Sequence, residues 1–308
     1  MNSSVTRYQK RKKIVDLFFI GLFRLAGIIA ASAIVLIFVF IFKRGISVFL
    51  PNYPDQISLW KFLTGFQWQS STQTYGVLFI IINTLISAFF AMLLAFPISV
   101  LTALFIVKIA PKKLGEILTT VIELLAAIPS VVYGVFASGV IVGWVDSLAK
   151  VMGYSTFGGR SLLAVIILLA LMTLPTMTSL SIVAIKTVKP QLELASLALG
   201  ASKTQTNFKV VLTSAKSGIF AGLILGLARA FGEATAVSMV AGNKSVGPTL
   251  NPFDITRTLT STMLSGLKET TGLDYDVRFS VGIVLMITIL ISNLLIHHVK
   301  KKIGSEHA

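Results

Sequence analysis

Residues 217–241 read SGIFAGLILGLARAFGEATAVSMVA. A bilayer core takes about 20 apolar residues to cross, and this stretch is long enough, yet it carries two charges, Arg229 and Glu233. At about 100° per residue, Gly218, Gly222, Gly226, Arg229 and Glu233 share one face of a continuous helix. Small residues let a neighbouring backbone approach closely. The three glycines therefore mark a packing face that looks into protein, and the charges lie on it. A cation near the bilayer centre costs about 2.5–3.5 kcal/mol on insertion scales. Glu233 follows Arg229 at i+4, where two helical side chains can meet. The pair then either neutralises itself to lock helices together, or Arg229 meets an anion in transit while Glu233 tunes its availability. The planar donors of a guanidinium match oxyanion geometry, and intramembrane ionisable residues are functional by default. Arg229 and Glu233 are thus the expected substrate-pathway residues.

Working outward, the same apolar character covers much of the chain. Of 308 residues, 55% are hydrophobic and 13% charged, with a mean hydropathy of +0.86. A soluble domain carries about 25% charged residues, so lipid must solvate much of this one. Five further apolar runs lie at 17–42, 77–107, 117–142, 162–185 and 279–296. The expected fold is all-α: a polytopic membrane bundle of about six transmembrane helices. Pro97 offers a break in the second. Arg24, in the first run, and Glu123, near the inner end of the third, read as structural charges. The first run continues well past a cleavage-like Ala31-Ser32-Ala33, which favours an uncleaved helix over a signal peptide.

The net charge of +15 sits in short clusters at the ends of the apolar runs. That is the positive-inside pattern, and it argues against nucleic acid as a partner. Clusters at 7–13, 108–113, 186–216 and 300–302 outweigh the alternate loops. Both termini are therefore expected in the cytoplasm. This divides the chain into a terminus, first helix and external loop (1–72), a transmembrane core (73–300) with an inner loop at 186–216, and a tail (301–308). Tyr53, Trp60, Trp68 and Tyr75, in the external loop, read as residues of the membrane–water interface.

Little here supports enzymatic chemistry. The sequence has no cysteine, and its three histidines are His297, His298 and His307. Thiolate sites, a helix-borne HExxH zinc site and a Ser-His-Asp triad are excluded within the bundle. No GxxxxGK[ST] phosphate loop occurs. If ATP drives this protein, another subunit hydrolyses it, and no metal or cofactor is expected in this chain.

The inner loop contains PQLELASLALG, residues 190–200. Pro190 suits a first helical turn, Gly200 a C-terminal cap, and Ser202 the cap of a following helix. Leu192, Ala195, Ser196 and Leu199 form an apolar stripe on a helix too short to span, which either packs under the bundle or needs a partner surface.

This loop resembles the EAA loop of binding-protein-dependent ABC importer permeases, E-A-A-x-x-x-G followed by an apolar I-x-L-P. Ala195, Ser196 and Gly200 match in register, as do Val210 and Leu212. Leu194 stands at the Glu position, with Glu193 one residue early, and Thr213 replaces the Pro. Three stretches, ELLAAIPSVVYG (123–134), LMTLPTMTS (171–179) and LGLARAFGEATAVSMVAGN (225–243), resemble PstC-type permeases of phosphate importers. The resemblance implies a type I (MetI-like) ABC importer fold, with Arg229 and Glu233 in the phosphate path. It implies Glu193, Ala195, Ser196, Gly200, Val210 and Leu212 in the ATPase-coupling loop. The implied partners are a second, PstA-like permease, a PstB-like ATPase dimer carrying ATP and Mg, and an external PstS-like phosphate-binding protein. The rival readings are a permease for molybdate or sulfate, and an ion-coupled secondary transporter.

Overall fold

The structure, a computed structural model, describes residues 3–305, with side chains described at 12, 13 and 15–298. The expected basic side chains at 7–11 and 300–302, and His307 in the tail, lie outside the described residues. Among the described residues, six helical segments are long and apolar enough to cross a membrane: Val15–Ser47, Leu78–Ile109, Ser130–Val151, Leu162–Lys186, Lys203–Gly232 and Leu273–His298. The chain is a multi-pass helical membrane protein.

The helices run in the order α1 (Ser3–Ser47), α2 (Leu59–Thr64), α3 (Leu78–Leu104), α4 (Lys112–Ala127), α5 (Ser130–Phe136), α6 (Val142–Val151), α7 (Leu162–Lys186), α8 (Pro190–Ala198), α9 (Lys203–Gln205), α10 (Leu212–Gly232), α11 (Thr235–Ala241), α12 (Leu259–Leu264) and α13 (Leu273–Ser305). Wider π-helical turns at Phe105–Ile109, Ala137–Ile141 and Thr206–Val211 interrupt the spans. A two-residue hairpin pairs β1 (Trp68–Gln69) with β2 (Thr74–Tyr75).

α7 is the centre of the bundle. In its most apolar window 67% is buried, against 0% for the first span. α3 and α10 flank α7, whereas α1 packs chiefly along α13 and leaves its apolar side chains to lipid. Where two apolar helices meet in lipid, close backbone approach supplies the packing. Gly218 faces Ala184, Gly222 faces Leu180 and Met177, and Gly226 faces Met177. A Cβ on Gly226 would lie 2.7 Å from Met177 Cγ, and one on Gly218 2.5 Å from Ala184 Cβ. The glycine face therefore looks into protein, onto α7.

Two expected spans are broken. The segment at 117–142 is not one helix: α4 ends at Ala127 and α5 starts at Ser130, with Ile128 and Pro129 extended. A residue before proline is pushed out of the helical region. The third span consequently shifts to Ser130–Val151, and Glu123 lies on α4, outside it. The segment at 217–241 likewise ends its helix at Gly232, a weak helix former, and Glu233 turns extended at φ −76°, ψ 109°.

The ends of α7 differ. At one end follows α8, none of whose residues is buried. At the other, residues 48–77 and 242–264 fold over the bundle around a small core, shared with α3 and α13, that includes Val48, Phe62, Trp68, Tyr75 and Leu259. Trp68 and Tyr75 are 4% and 5% exposed and meet edge-on at 5.1 Å. Tyr53 donates to Asp276. Of the four aromatics expected at a membrane surface, Trp60 alone is largely exposed, at 74%. The other three are held by long-range contacts, which interfacial composition does not reveal.

Candidate anion site and coupling helix

Arg229 lies in the last turn of α10, half-buried. Its Nη1 donates to Thr176 Oγ1 of α7 at 2.7 Å. Among the described residues it makes no ion pair. The expected i+4 meeting with Glu233 does not occur, because the helix ends before Glu233. Instead Glu233 Oε1 accepts from the backbone N–H of Ala236 in α11 at 3.1 Å, and the Glu233 carbonyl accepts from Thr260 Oγ1 at 2.8 Å. Backbone groups released by a helix break need such partners inside a membrane, and Glu233 meets that need. Arg229 thus has a hydroxyl and no carboxylate as its partner among the described residues.

Thr176 follows Pro175 inside α7. Proline has no N–H, so the carbonyl four residues back, that of Leu171, loses its helical bond. Ser99 Oγ of α3 donates to the neighbouring Leu174 carbonyl at 3.1 Å, tying the helices together here. Tyr133 of α5 completes the surroundings. Its Oη donates to the Leu125 carbonyl at 2.9 Å, spanning the α4–α5 break, and the Arg229 charge is within electrostatic reach of its ring. Gly134 lets α5 sit on Ala236 of α11, where an added Cβ would be 2.8 Å from the Ala236 Cα. The site is therefore one guanidinium held by one threonine hydroxyl, contributed by α10 and α7.

α8 is built by local chemistry. Gly200 holds φ +84°, a conformation that favours glycine. Gly200 N donates to Leu197 O at 3.0 Å and Ala201 N to Ser196 O at 3.2 Å, the paired bonds of a Schellman motif. Ser202 and Gln205 form a reciprocal capping box that starts α9. The apolar stripe remains largely open: Leu192 and Leu199 are 44% and 90% exposed, Ala195 is exposed and Ser196 half-buried, while Leu194, on the other side of the helix, is 65% exposed. Packing beneath the bundle is thereby excluded for the stripe. Glu193, by contrast, turns inward and pairs with Lys108 on the π-helical turn after α3. Ser196 Oγ bonds Thr206 Oγ1 at 2.9 Å. Leu212 packs partly into the core beneath, Val210 is half-buried, and Ala195 is exposed.

The opposite end holds its charges differently. Arg257, 9% exposed, donates through Nε and Nη2 to the Lys244 and Asn243 carbonyls, both at 2.7 Å. Burial, with the nearby Arg278 charge, lowers its pKa to about 10. Asp254 pairs with Lys244 and accepts from Thr249 Oγ1 at 2.9 Å. Burial raises its pKa, but the lysine and the hydroxyl outweigh that and hold it below the usual carboxylate value.

The family described as "Binding-protein-dependent transport system inner membrane component" matches residues 95–304. The chain belongs to that family. Among relatives of this permease component, the "Probable ABC transporter permease protein YqgH" of Bacillus subtilis is 37% identical over 90% of this chain and 88% of its own. The "Phosphate transport system permease protein PstC" of Pasteurella multocida is 31% identical, over 79% of this chain and 82% of its own length. The fold is likewise that of solved ABC importers. A chain of a bacterial ABC transporter involved in alginate import superposes with a TM-score of 0.60 at 17% identity, covering 90% of this chain and 95% of that one. A chain of the MetNI methionine ABC transporter in an inward-facing conformation gives 0.51 at 21% identity, over 74% and 94%.

As a member of that family the chain is a transport subunit and not an enzyme. The structure brings Arg229 to Thr176, and separates Arg229 from Glu233. Thr176 and Tyr133 were within the 171–179 and 123–134 stretches singled out from the sequence. Hydropathy carries no signal for an isolated hydroxyl, but Thr176 follows the one proline of its span, and that could have marked it.

Proposed function

We propose that this permease component forms half of the transmembrane pathway of an ATP-driven phosphate importer, with Arg229 as the residue that meets the anion. The observation that carries the reading is Arg229 itself: a cation in a span, held by a neutral threonine and not by a carboxylate. Such a group is free to pair with a transported oxyanion, and a guanidinium offers it two parallel donors. Relatives named as phosphate permeases, over four-fifths of this chain, support phosphate as the cargo.

The open stripe on α8 is the docking surface for a PstB-like ATPase dimer, which carries ATP and Mg. Gly200, Ala195 and the exposed leucines make that contact, while Glu193, Ser196, Val210 and Leu212 fix the loop to the bundle. α8 and both termini then lie in the cytoplasm. The folded-over opposite end faces a PstS-like phosphate-binding protein, and a PstA-like permease supplies the other half of the path.

Radiolabelled phosphate uptake by whole cells tests this. Arg229→Ala should abolish uptake while the assembled complex stays at wild-type abundance in the membrane. Uptake of phosphate at the wild-type rate by that variant refutes the pathway role. Competition of phosphate uptake by sulfate or molybdate at equal concentration refutes the cargo.

A further inference from the structure

We propose that Thr176 is a binding residue of the anion station and not merely a neighbour of it. Its hydroxyl oxygen accepts from Arg229, and its hydroxyl proton is donated to the transported oxyanion. The inference rests on the reading of Arg229 as the anion contact.

Three observations lead to it. First, the bond is short for a neutral acceptor, 2.7 Å from Nη1 to Oγ1, within the range of charge-assisted pairs. A hydroxyl has two acceptor lone pairs and one donor hydrogen, so accepting from Arg229 leaves the hydrogen uncommitted. Second, the two other threonines of α7 spend theirs on their own helix. Thr173 donates to the Leu169 carbonyl at 2.8 Å and Thr178 to the Leu174 carbonyl at 2.8 Å. Thr176, among the described residues, has the Arg229 bond and no acceptor for its own proton. Third, Thr176 is half-buried and flanked by the buried Pro175 and Met177, so its hydroxyl is held on the α10 side and not out in lipid.

The chemistry that results is selective. A guanidinium alone binds any oxyanion by charge. Adding one fixed O–H donor, oriented by the cation it serves, sets where an anionic oxygen must sit. It also keeps the guanidinium plane from rotating between visits. A carboxylate in this position would hold Arg229 more tightly but would compete with the cargo, and threonine avoids that. This explains why the span's cation is matched with a neutral partner.

The test is steady-state phosphate uptake by the full complex in proteoliposomes, with ATP inside the reach of the ATPase subunits. Variants Thr176→Val, Thr176→Ser and Arg229→Lys are measured with the double variant Thr176→Val/Arg229→Lys. Thr176→Val, nearly isosteric, should raise the apparent KM for phosphate about tenfold, as expected for one lost hydrogen bond to a charged group. The maximal rate should change much less. Thr176→Ser should restore the wild-type KM. The two single changes should be non-additive, because they remove one shared interaction.

An unchanged KM in Thr176→Val, or equal defects in the Val and Ser variants, overturns the proposal. Should Thr176→Val fail to assemble, judged by its abundance in the membrane, the Ser and Lys variants alone decide. Wild-type KM in Thr176→Ser with a raised KM in Arg229→Lys supports the proposal, and a raised KM in Thr176→Ser refutes it. Arg229→Ala is run alongside. If it transports normally, the anion reading of Arg229 has failed. If it is dead while Thr176→Val is normal, Thr176 alone has been misassigned.

Discussion

The two ends of α7 solve the same problem in opposite ways. Around its first residues, the segments 48–77 and 242–264 partner their apolar and polar groups within the chain: Trp68 on Tyr75, Arg257 on two carbonyls, Asp254 on Lys244. After its last residues, α8 buries none of its residues and leaves Leu194 and Leu199 in the open. Yet α8 is not a loose segment, since a Schellman turn, a capping box and the Glu193–Lys108 pair fix its position. One end is finished by the chain itself. The other is shaped in advance and left unfinished, as a surface that waits for a second protein would be.

The contrast can be broken most sharply at Trp68. Replacing it by alanine should cost about 3–5 kcal/mol, the usual range for emptying a buried large aromatic site. Thermal unfolding of the purified complex in detergent would register this as a clear loss of stability. A change within error would mean that the folded-over end is not a core at all. Leu199→Asp should have the complementary outcome. At 90% exposure the side chain supports little in this chain, so stability should hold within about 0.5 kcal/mol. Retention of the ATPase subunits during purification should fall about tenfold, as for a loss of 1–2 kcal/mol at an interface. If retention is unchanged, the stripe does not dock the motor.

The smallest effect is a pH dependence at the finished end. Burial first, then the hydrogen bond to Asp276, raises the Tyr53 pKa from 10.0 to about 12. The neutral phenol is thus favoured in the folded state. Its contribution is fully present below about pH 10 and is lost as pH rises towards 12. Melting temperatures measured across that window should fall more steeply for the wild type than for Tyr53→Phe. Parallel slopes would show that the fold does not favour the neutral Tyr53 phenol. Tyr75, raised for the same order of causes with Asp274 as its partner, keeps its part of the slope in both proteins.

What the sequence disclosed follows the range of the forces involved. Spans such as Leu162–Lys186 were legible because twenty or more apolar residues in a row have few other uses. The α8 turn was legible because Gly200 and Ser202 act on backbone groups a few residues away. The glycine face of α10 was legible because its spacing alone sets its direction. The helix breaks were not. Hydropathy is continuous across Ile128-Pro129 and across Gly232-Glu233, so a count of apolar residues passes over both. The second of these misled the site as well. Continuous helical geometry brought Glu233 to Arg229, whereas the observed break hands Arg229 to Thr176, 53 positions away in sequence. The burial of Trp68 and Arg257 likewise depends on residues far along the chain.

The glycine seam between α7 and α10 has a mechanical consequence. α8 hangs between these two helices, and Thr176 and Arg229 sit one on each of them. With Gly218, Gly222 and Gly226 leaving no room for a side chain against Ala184, Leu180 and Met177, the pair has little freedom to slide or splay, and behaves as a single stiff lever. A push on α8 must then arrive at the far end as a swing of the whole lever, with the guanidinium and its hydroxyl carried together. Spin labels placed at 183 and 221 should keep one separation throughout the ATP cycle, while either label moves relative to α1.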